Sequence, residues 1–500
     1  MVIVILLIAV IIRFLFFPNN IYFGFDQARD AFTALEIVQG NLKLIGPSTS
    51  FEGLFHGVAY DYLIVPTYWL NKSPELTAAI LRILNALGVL VVYFLGVTIF
   101  DKKVGLIAAL LFAVSFEQTQ FAIYMGNPAP AVISVGIMYL GLALVIFKKQ
   151  IWGLILASFC LGLSIQFQFA LFYLVVPFAL ILIIFKKEFL KLPIKIYFVS
   201  IFMLLLSIAT FLLAELKYNF KTVNGLLALA SAGSEKDLLT IIQTYLFTVN
   251  KMLSFNLTGQ LPLGIVVGSV LLILLIWFFK KKYQKKQLAF LAIWFFSLVV
   301  TVLVSGGVRD LQNNVPLYYP NVGVSTSLLI FIALIVSQYK KIGTVVVMLI
   351  VVANISMTLE LNPKGTIPEI NVQQGMLLSD QKLVLDYIYS SSQGQPLAVK
   401  AVTMPFNINT TWSYLFEWYG KEKYGYLPLW SGKNAIGFPG NLIVKEIQED
   451  LPNNRYLIIE PARGIAPHLI SEYIGEENYF TKIVAERNFG AFVVQKRERY

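Results

Sequence analysis

Behind the first apolar segment the chain reads Phe25-Asp26-Gln27-Ala28-Arg29-Asp30-Ala31, which sets two carboxylates and a guanidinium close together. Asp26 and Asp30 are four residues apart, so on a helix they share a face. Arg29 between them can pair with one acid and leave the other free. Carboxylates at a membrane surface are costly unless they are solvated, paired or used. One chemistry is general-base catalysis by Asp26, with the cation helping to hold an anion. The plain alternative is a solvated helix start with Asp26 as its N-cap. Spacing alone leaves both open.

Other groups could frame the same site. The segment Gly46-Pro47-Ser48-Thr49-Ser50-Phe51-Glu52-Gly53-Leu54-Phe55-His56-Gly57 combines turn residues with an acid and a histidine, and it is either a pocket wall or a plain loop. Gly126-Asn127-Pro128 opens an apolar run in the manner of a helix start. Glu117, at the end of the preceding run, is a candidate for the same cavity. Arg309 and Asp310 are expected to pair with each other, and Tyr318-Tyr319 to belong to an interfacial aromatic belt.

These residues must be positioned by a membrane-embedded body. Hydrophobic residues make up 57% of the chain and charged residues 13%, against a usual charged share of about 25%. Apolar runs fall near 1–17, 77–100, 104–123, 129–147, 151–185, 196–214, 261–279, 288–305, 322–338 and 342–359. The run 151–185 is too long for one span, and Ser164, Gln166 and Gln168 interrupt it, so it reads as a hairpin; the total is about eleven spans. The net charge of +11 sits in short loops between these runs. It therefore points to membrane orientation rather than to nucleic acid. Lys102-Lys103, Lys148-Lys149, Lys186 to Lys195, Lys280 to Lys286 and Lys340-Lys341 mark cytoplasmic loops. The N-terminus is then cytoplasmic, and the loop 18–76 and residues 361–500 are extracytoplasmic. In that first outer loop, Ala28 to Val38 has helical spacing, and the aromatic stretch from Ala59 to Leu70 suits an interfacial helix.

Residues 1–360 thus form a polytopic α-helical membrane domain, and 361–500 a small α/β domain with a helix over Asp380–Tyr389 and strands over Leu397–Thr403, Arg455–Ile459 and Ala491–Gln495. Trp412, Trp418, Tyr419, Tyr424 and Trp430 crowd one stretch of it, and such rings suit sugar faces or membrane interfaces. His468 has no nearby motif. Cys160 is the one cysteine, which excludes a disulfide framework. The absence of a phosphate-binding G-x-x-x-x-G-K-[ST] loop argues against an ATP-driven pump.

In order, Asp26-Gln27-Ala28-Arg29-Asp30, Gly46-Pro47 with Ser50 and Gly53, and Asn127-Pro128 resemble the GT-C membrane glycosyltransferases. Within them the likeness is to glycosyltransferase family 39, which includes the protein O-mannosyltransferases and the lipid A aminoarabinose transferases. The resemblance covers roughly residues 1–360. It implies an inverting glycosyltransferase of the plasma membrane that takes a sugar from a polyprenyl-phosphate donor on the outer face. The acceptor is a lipid, glycan or protein. Asp26 is implied as the base, with Arg29, Asp30, Glu52, His56, Glu117, Asn127, Glu215 and Arg309 around the substrates. His56-Gly57 stands near the place of the mannosyltransferases' His-Pro-Pro, without its prolines. Glu215-Leu216-Lys217-Tyr218 is similar to an acidic loop entry of the family. Where many relatives have two adjacent acids this chain has Asp26-Gln27, so no metal ligand is assigned and a divalent metal stays open as a cofactor. A lipid or glycan transporter, or a non-catalytic scaffold, is the alternative; a transporter should depend on residues within the spans.

Overall fold

The structure, a computed structural model, describes residues 1–49, 53–231, 238–280, 284–305, 318–371, 373–461 and 465–500. Apolar helices build its first part. Among the described residues four are long and apolar enough to cross a membrane: Pro74–Ile99, Pro128–Lys148, Lys285–Leu303 and Lys340–Lys364. Two bent pairs raise the number to six, Lys102–Val114 with Phe116–Ile123 at 54° and Ile194–Ser207 with Ala209–Lys217 at 60°. Other segments expected to span are shorter apolar helices, Val2–Phe14, Gly153–Phe167, Phe169–Ile184 and Ser325–Gln338. With Gly264–Lys280 they account for the polytopic helical body expected from the apolar runs. The run 151–185 does break, at Gln168. The apolar run 104–123 bends at Ser115. There the Ser115 hydroxyl caps the following segment by accepting from Gln118 N and donates to Asn256 at 2.7 Å.

The loop after the first helix carries two helices, Phe25–Val38 and Ala59–Leu70, where helical spacing and an interfacial pattern were expected. Its start is fixed from within the membrane part. Arg82 is fully buried and donates to Asn20 Oδ1 and to the carbonyl of Arg13, each at 2.9 Å. Asn20 in turn donates to the Asn362 carbonyl at 3.1 Å. A buried charge within an apolar run is thus a tie between the first loop and the end of the last long helix.

Beyond that helix lies a six-stranded sheet: β1 (Leu397–Val402), β2 (Leu429–Ser431), β3 (Val444–Lys445), β4 (Asn454–Ile459), β5 (Thr481–Phe489) and β6 (Phe492–Arg499). The strand order is β3-β2-β1-β4-β6-β5. The β1–β2, β2–β3 and β1–β4 pairings are parallel, and β6 is antiparallel to both β4 and β5. β1 is buried throughout, as a central parallel strand should be. Helix Leu378–Ser392 precedes it. This part is joined to the first loop by main-chain bonds: Tyr22 bridges Leu377, and Phe23 N donates to the Met376 carbonyl at 2.8 Å.

Candidate active site

Helix Phe25–Val38 begins at Gly24, whose extended backbone precedes the first turn. Gln27 closes that turn, with its Oε1 accepting from Gly24 N at 3.0 Å and its Nε2 donating to the Met125 carbonyl at 2.5 Å. The residue that stands in place of a second acid is therefore a helix cap and a tie to the turn before Asn127. Asp26, in the first turn where a negative charge complements the helix dipole, shares a face with Arg29 and Asp30. Arg29 Nη1 lies 2.6 Å from Asp26 Oδ1, and Nη2 lies 2.7 Å from Asp30 Oδ1. One guanidinium thus holds both acids, instead of pairing with one and freeing the other.

The two acids are not equivalent. The Asp26 side chain is 50% exposed and the Asp30 side chain 3%. Desolvation falls on Asp30. Burial pushes the Asp30 carboxyl up to about 6, with the Asp26 charge adding to the rise and Arg29 opposing it. The second oxygen of Asp30 is buried with no hydrogen-bond partner, as is that of Asp61 on the adjacent helix Ala59–Leu70. Burial and the Asp30 charge likewise raise Asp61 well above the usual carboxylate range.

Asp26, Arg29 and Asp30 line a cavity of about 500 Å³. His56 and Asn127 line it too, so five of the expected residues meet in one place. The loop that delivers His56 closes on itself: Gly46 N donates to the His56 carbonyl at 3.1 Å, and His56 N to the Pro47 carbonyl at 2.8 Å. Gly57 sits so tightly on Gln166 that a Cβ there would lie 2.6 Å from its carbonyl oxygen. His56 Nδ1 accepts from Phe169 N at 3.2 Å, at the break after Gln168. Burial, and then the Arg29 charge, depress this histidine to about 4. The ring is neutral at physiological pH, with its one proton on Nε2.

Two expected residues lie elsewhere. Glu117 is buried among Asn256 and Ser325, accepting from Ser325 Oγ at 3.0 Å, and is not part of the cavity wall. Glu215 accepts from Thr222 N and Val223 N at 3.1 and 3.2 Å, so it caps the helix Lys221–Ser231. Glu52 and Arg309 fall outside the described residues. The aromatic stretch divides: Trp412 and Trp430 are fully buried and cannot face a sugar or a lipid, whereas Trp418, Tyr419 and Tyr424 keep partial exposure. The sequence did not single out Tyr22, Tyr124, Asn371, Gln373 or Met404 as site residues, yet all line the cavity. Tyr319, expected in an aromatic belt, lines it as well. Among the described residues no group of three or more His, Cys, Asp and Glu side chains is placed to hold a metal ion. At Asp26 the cation in contact is Arg29, and both polar atoms of Gln27 are engaged, so the pair Asp26-Gln27 does not fit a metal site.

ArnT from Cupriavidus metallidurans, in its structure bound to undecaprenyl phosphate, matches this chain with a TM-score of 0.63 at 9% identity, over 99% of this chain and 97% of that one. The chain has the GT-C fold. The apo structure of the same ArnT gives the GT-C match again, with a TM-score of 0.61 at 11% identity and the same coverage. By sequence, the family described as dolichyl-phosphate-mannose-protein mannosyltransferase matches residues 56–213. That stretch runs from His56 through Asn127 and ends just before Glu215. No curated protein matches the sequence. A multi-pass membrane protein of GT-C fold thus carries the cavity, and residues 361–500 belong to the same fold match, because it covers nearly the whole of both chains.

Proposed function

We propose that the protein is an inverting glycosyltransferase that moves a sugar from a polyprenyl-phosphate donor to an acceptor hydroxyl on the outer face of the membrane. The observation that carries this is Asp26: one oxygen is held by Arg29 while its half-exposed carboxylate borders a cavity large enough for a sugar. In this reading Asp26 takes the proton of the acceptor hydroxyl as that oxygen attacks the anomeric carbon. The bond from that carbon to the phosphate oxygen breaks with its electron pair, the configuration inverts, and polyprenyl phosphate leaves. Arg29, with Arg309 carried over from the resemblance, supplies positive charge near the leaving phosphate. His56 offers a neutral Nε2–H donor on the cavity wall, and Asn127 an amide.

The donor's tail has a matching place. A second cavity of about 520 Å³ is lined almost wholly by apolar side chains, among them Leu253, Leu272, Phe295 and Phe331. It shares the helix Lys285–Ser305 with the first cavity, which that helix lines through Thr301. A chain lying along that helix can keep its lipid in one cavity and its phosphate at the other. The loop charges support an outward-facing cavity and a cytoplasmic N-terminus.

The test is sugar transfer by purified protein from a panel of undecaprenyl-phosphate-linked sugars, with release of labelled sugar to water or to n-octyl β-glucoside as the readout. Wild-type turnover that Asp26→Asn abolishes is the expected result. A protein that binds every donor and cleaves none is no transferase, and facilitated movement of the same lipids across vesicles then identifies a transporter.

A further inference from the structure

Glu460 is buried directly behind the cavity and belongs to none of the groups used so far. It follows β4, while Met404 follows β1, and these two strands are adjacent and parallel. The chain runs from β1 outward to β2 and β3, then returns to the other side of β1 for β4. The crevice beyond the carboxyl ends of β1 and β4 is therefore the point where the strand order reverses, the usual ligand position in an open α/β sheet. Met404, Pro405 and Gln373 bring that crevice into the wall of the Asp26 cavity.

Three donors converge on the Glu460 carboxylate. Trp412 Nε1 donates to Oε1 at 2.8 Å, and Gln373 Nε2 and Met404 N donate to Oε2 at 2.9 and 3.0 Å. Gln373 Nε2 also donates to the Pro461 carbonyl at 3.4 Å. Both amide hydrogens of Gln373 are thus committed to acceptors. A flipped amide would set its oxygen against the Pro461 carbonyl, which cannot donate, and against Glu460, which donates only when protonated; burial raises that carboxyl to about 7, and the three donors on it oppose the rise. One orientation is left, with Nε2 toward Glu460 and Oε1 turned away from it. Gln373 lines the cavity, so that oxygen is the acceptor it can offer there.

We propose that Gln373 binds, through Oε1, a hydroxyl of the acceptor next to the one that attacks, and that Glu460 is the positioning residue that fixes the amide for this task. The assignment rests on the glycosyltransferase reading and adds the acceptor side to it. The attacking hydroxyl gives its one proton to Asp26, and the neighbouring hydroxyl of the same acceptor donates to Gln373 Oε1. Acceptor selectivity is in this way built into the sheet, whereas Asp26 and Arg29 come from the first loop.

The experiment uses the full-length protein and the donor that the panel identifies. Initial rates are measured against n-octyl β-glucoside, with hydrolysis to free sugar followed in the same reaction. Gln373→Met keeps the side chain's length and removes both polar atoms. It is expected to raise the KM for octyl glucoside about tenfold, the loss of one hydrogen bond, so that the ratio of transfer to hydrolysis falls at subsaturating octyl glucoside. Glu460→Gln frees the amide to flip and should raise the same KM in part, lowering the ratio of transfer to hydrolysis less than Gln373→Met does. If Glu460→Gln fails to fold, Gln373→Met decides alone. An unchanged KM in Gln373→Met overturns the assignment, and so does a parallel fall in transfer and hydrolysis. A wild type that cleaves donor but passes no sugar to octyl glucoside overturns it too, because all that is asked of the acceptor is an attacking hydroxyl with another beside it. A wild type that cleaves no donor overturns the glycosyltransferase reading itself.

Discussion

Arg29 Nη1 stands 2.6 Å from Asp26 Oδ1, three residues along the same helix face. The contact leaves Asp26 held at one oxygen and open to the cavity, the arrangement expected of a base that must not swing. Asp26→Asn keeps the shape and the contact but removes the basic oxygen. Transfer should fall by about two to four orders of magnitude, with normal membrane expression. Asp30→Asn is the paired control; if it proves the more sensitive, the two carboxyls exchange roles.

Arg29 also carries the buried Asp30. Removing one partner of a fully buried ion pair costs about 3–5 kcal/mol, because the other charge is stranded. The cost here is smaller, since the Arg29 side chain keeps 21% exposure. Arg29→Leu should therefore lower the thermal midpoint in detergent, and adding Asp30→Asn should restore part of it. Strict additivity of the two changes would show that the pair does not couple.

The pH dependence follows from Asp30. Its carboxyl is raised from 3.8 to about 6 by burial. The folded state therefore binds this proton more tightly than the unfolded chain, and Asp30's contribution to stability falls as pH rises across that interval. Relative to Asp30→Asn, wild-type protein should lose thermal stability between about pH 4 and pH 6. Equal slopes for the two proteins would contradict the assignment. Transfer should move the opposite way: protonation below about 6 loosens the hold on Arg29, so Asp30→Asn flattens the acid limb.

His56 should leave no mark on that profile. Depressed to about 4 by burial, it stays neutral wherever the protein is active. His56→Asn can still accept from Phe169 N, and the shape of the pH profile should survive even if the rate drops. A limb near neutrality that disappears in this variant would identify His56 as a titrating participant.

Gln27 tests the departure from the two-acid pattern. Gln27→Glu recreates an adjacent acid pair, but it removes the donor to the Met125 carbonyl. The loss should cost about 1–3 kcal/mol, the penalty for an unmade buried hydrogen bond, and added divalent metal should not rescue transfer. Metal-dependent gain of activity in this variant would show that the position remains a ligand site.

Much of this was legible in the chain. Asp26, Arg29 and Asp30 announce themselves because charge is expensive beside an apolar run, and His56 and Asn127 lie in turn-forming segments. Glu117 misled because an acid at a span end looks the same whether it lines a cavity or joins Asn256 and Ser325 in a buried network. Glu215 misled because capping of a helix further along depends on where that helix begins. β1, β4 and β6 were visible as apolar runs. β5 was not, since pairing with β6 rather than burial holds it, and most of its residues are exposed. Gln373 could not be found from sequence at all. An isolated glutamine carries no signal until the sheet brings Glu460 against it.

The main-chain ladder between Tyr22 and Leu377 has a consequence for biogenesis. Gln381 donates to the Phe23 carbonyl across 358 residues of chain, so the first loop emerges early in synthesis with its partners still unmade. Until the ribosome has passed Leu377, Asp26 belongs to a loop lacking one of its walls. The residues that complete the cavity, Gln373, Met404 and Pro405, come after all the membrane helices in the chain. A product that ends before Leu377 lacks the partners of Tyr22 and Phe23 and presents no finished cavity.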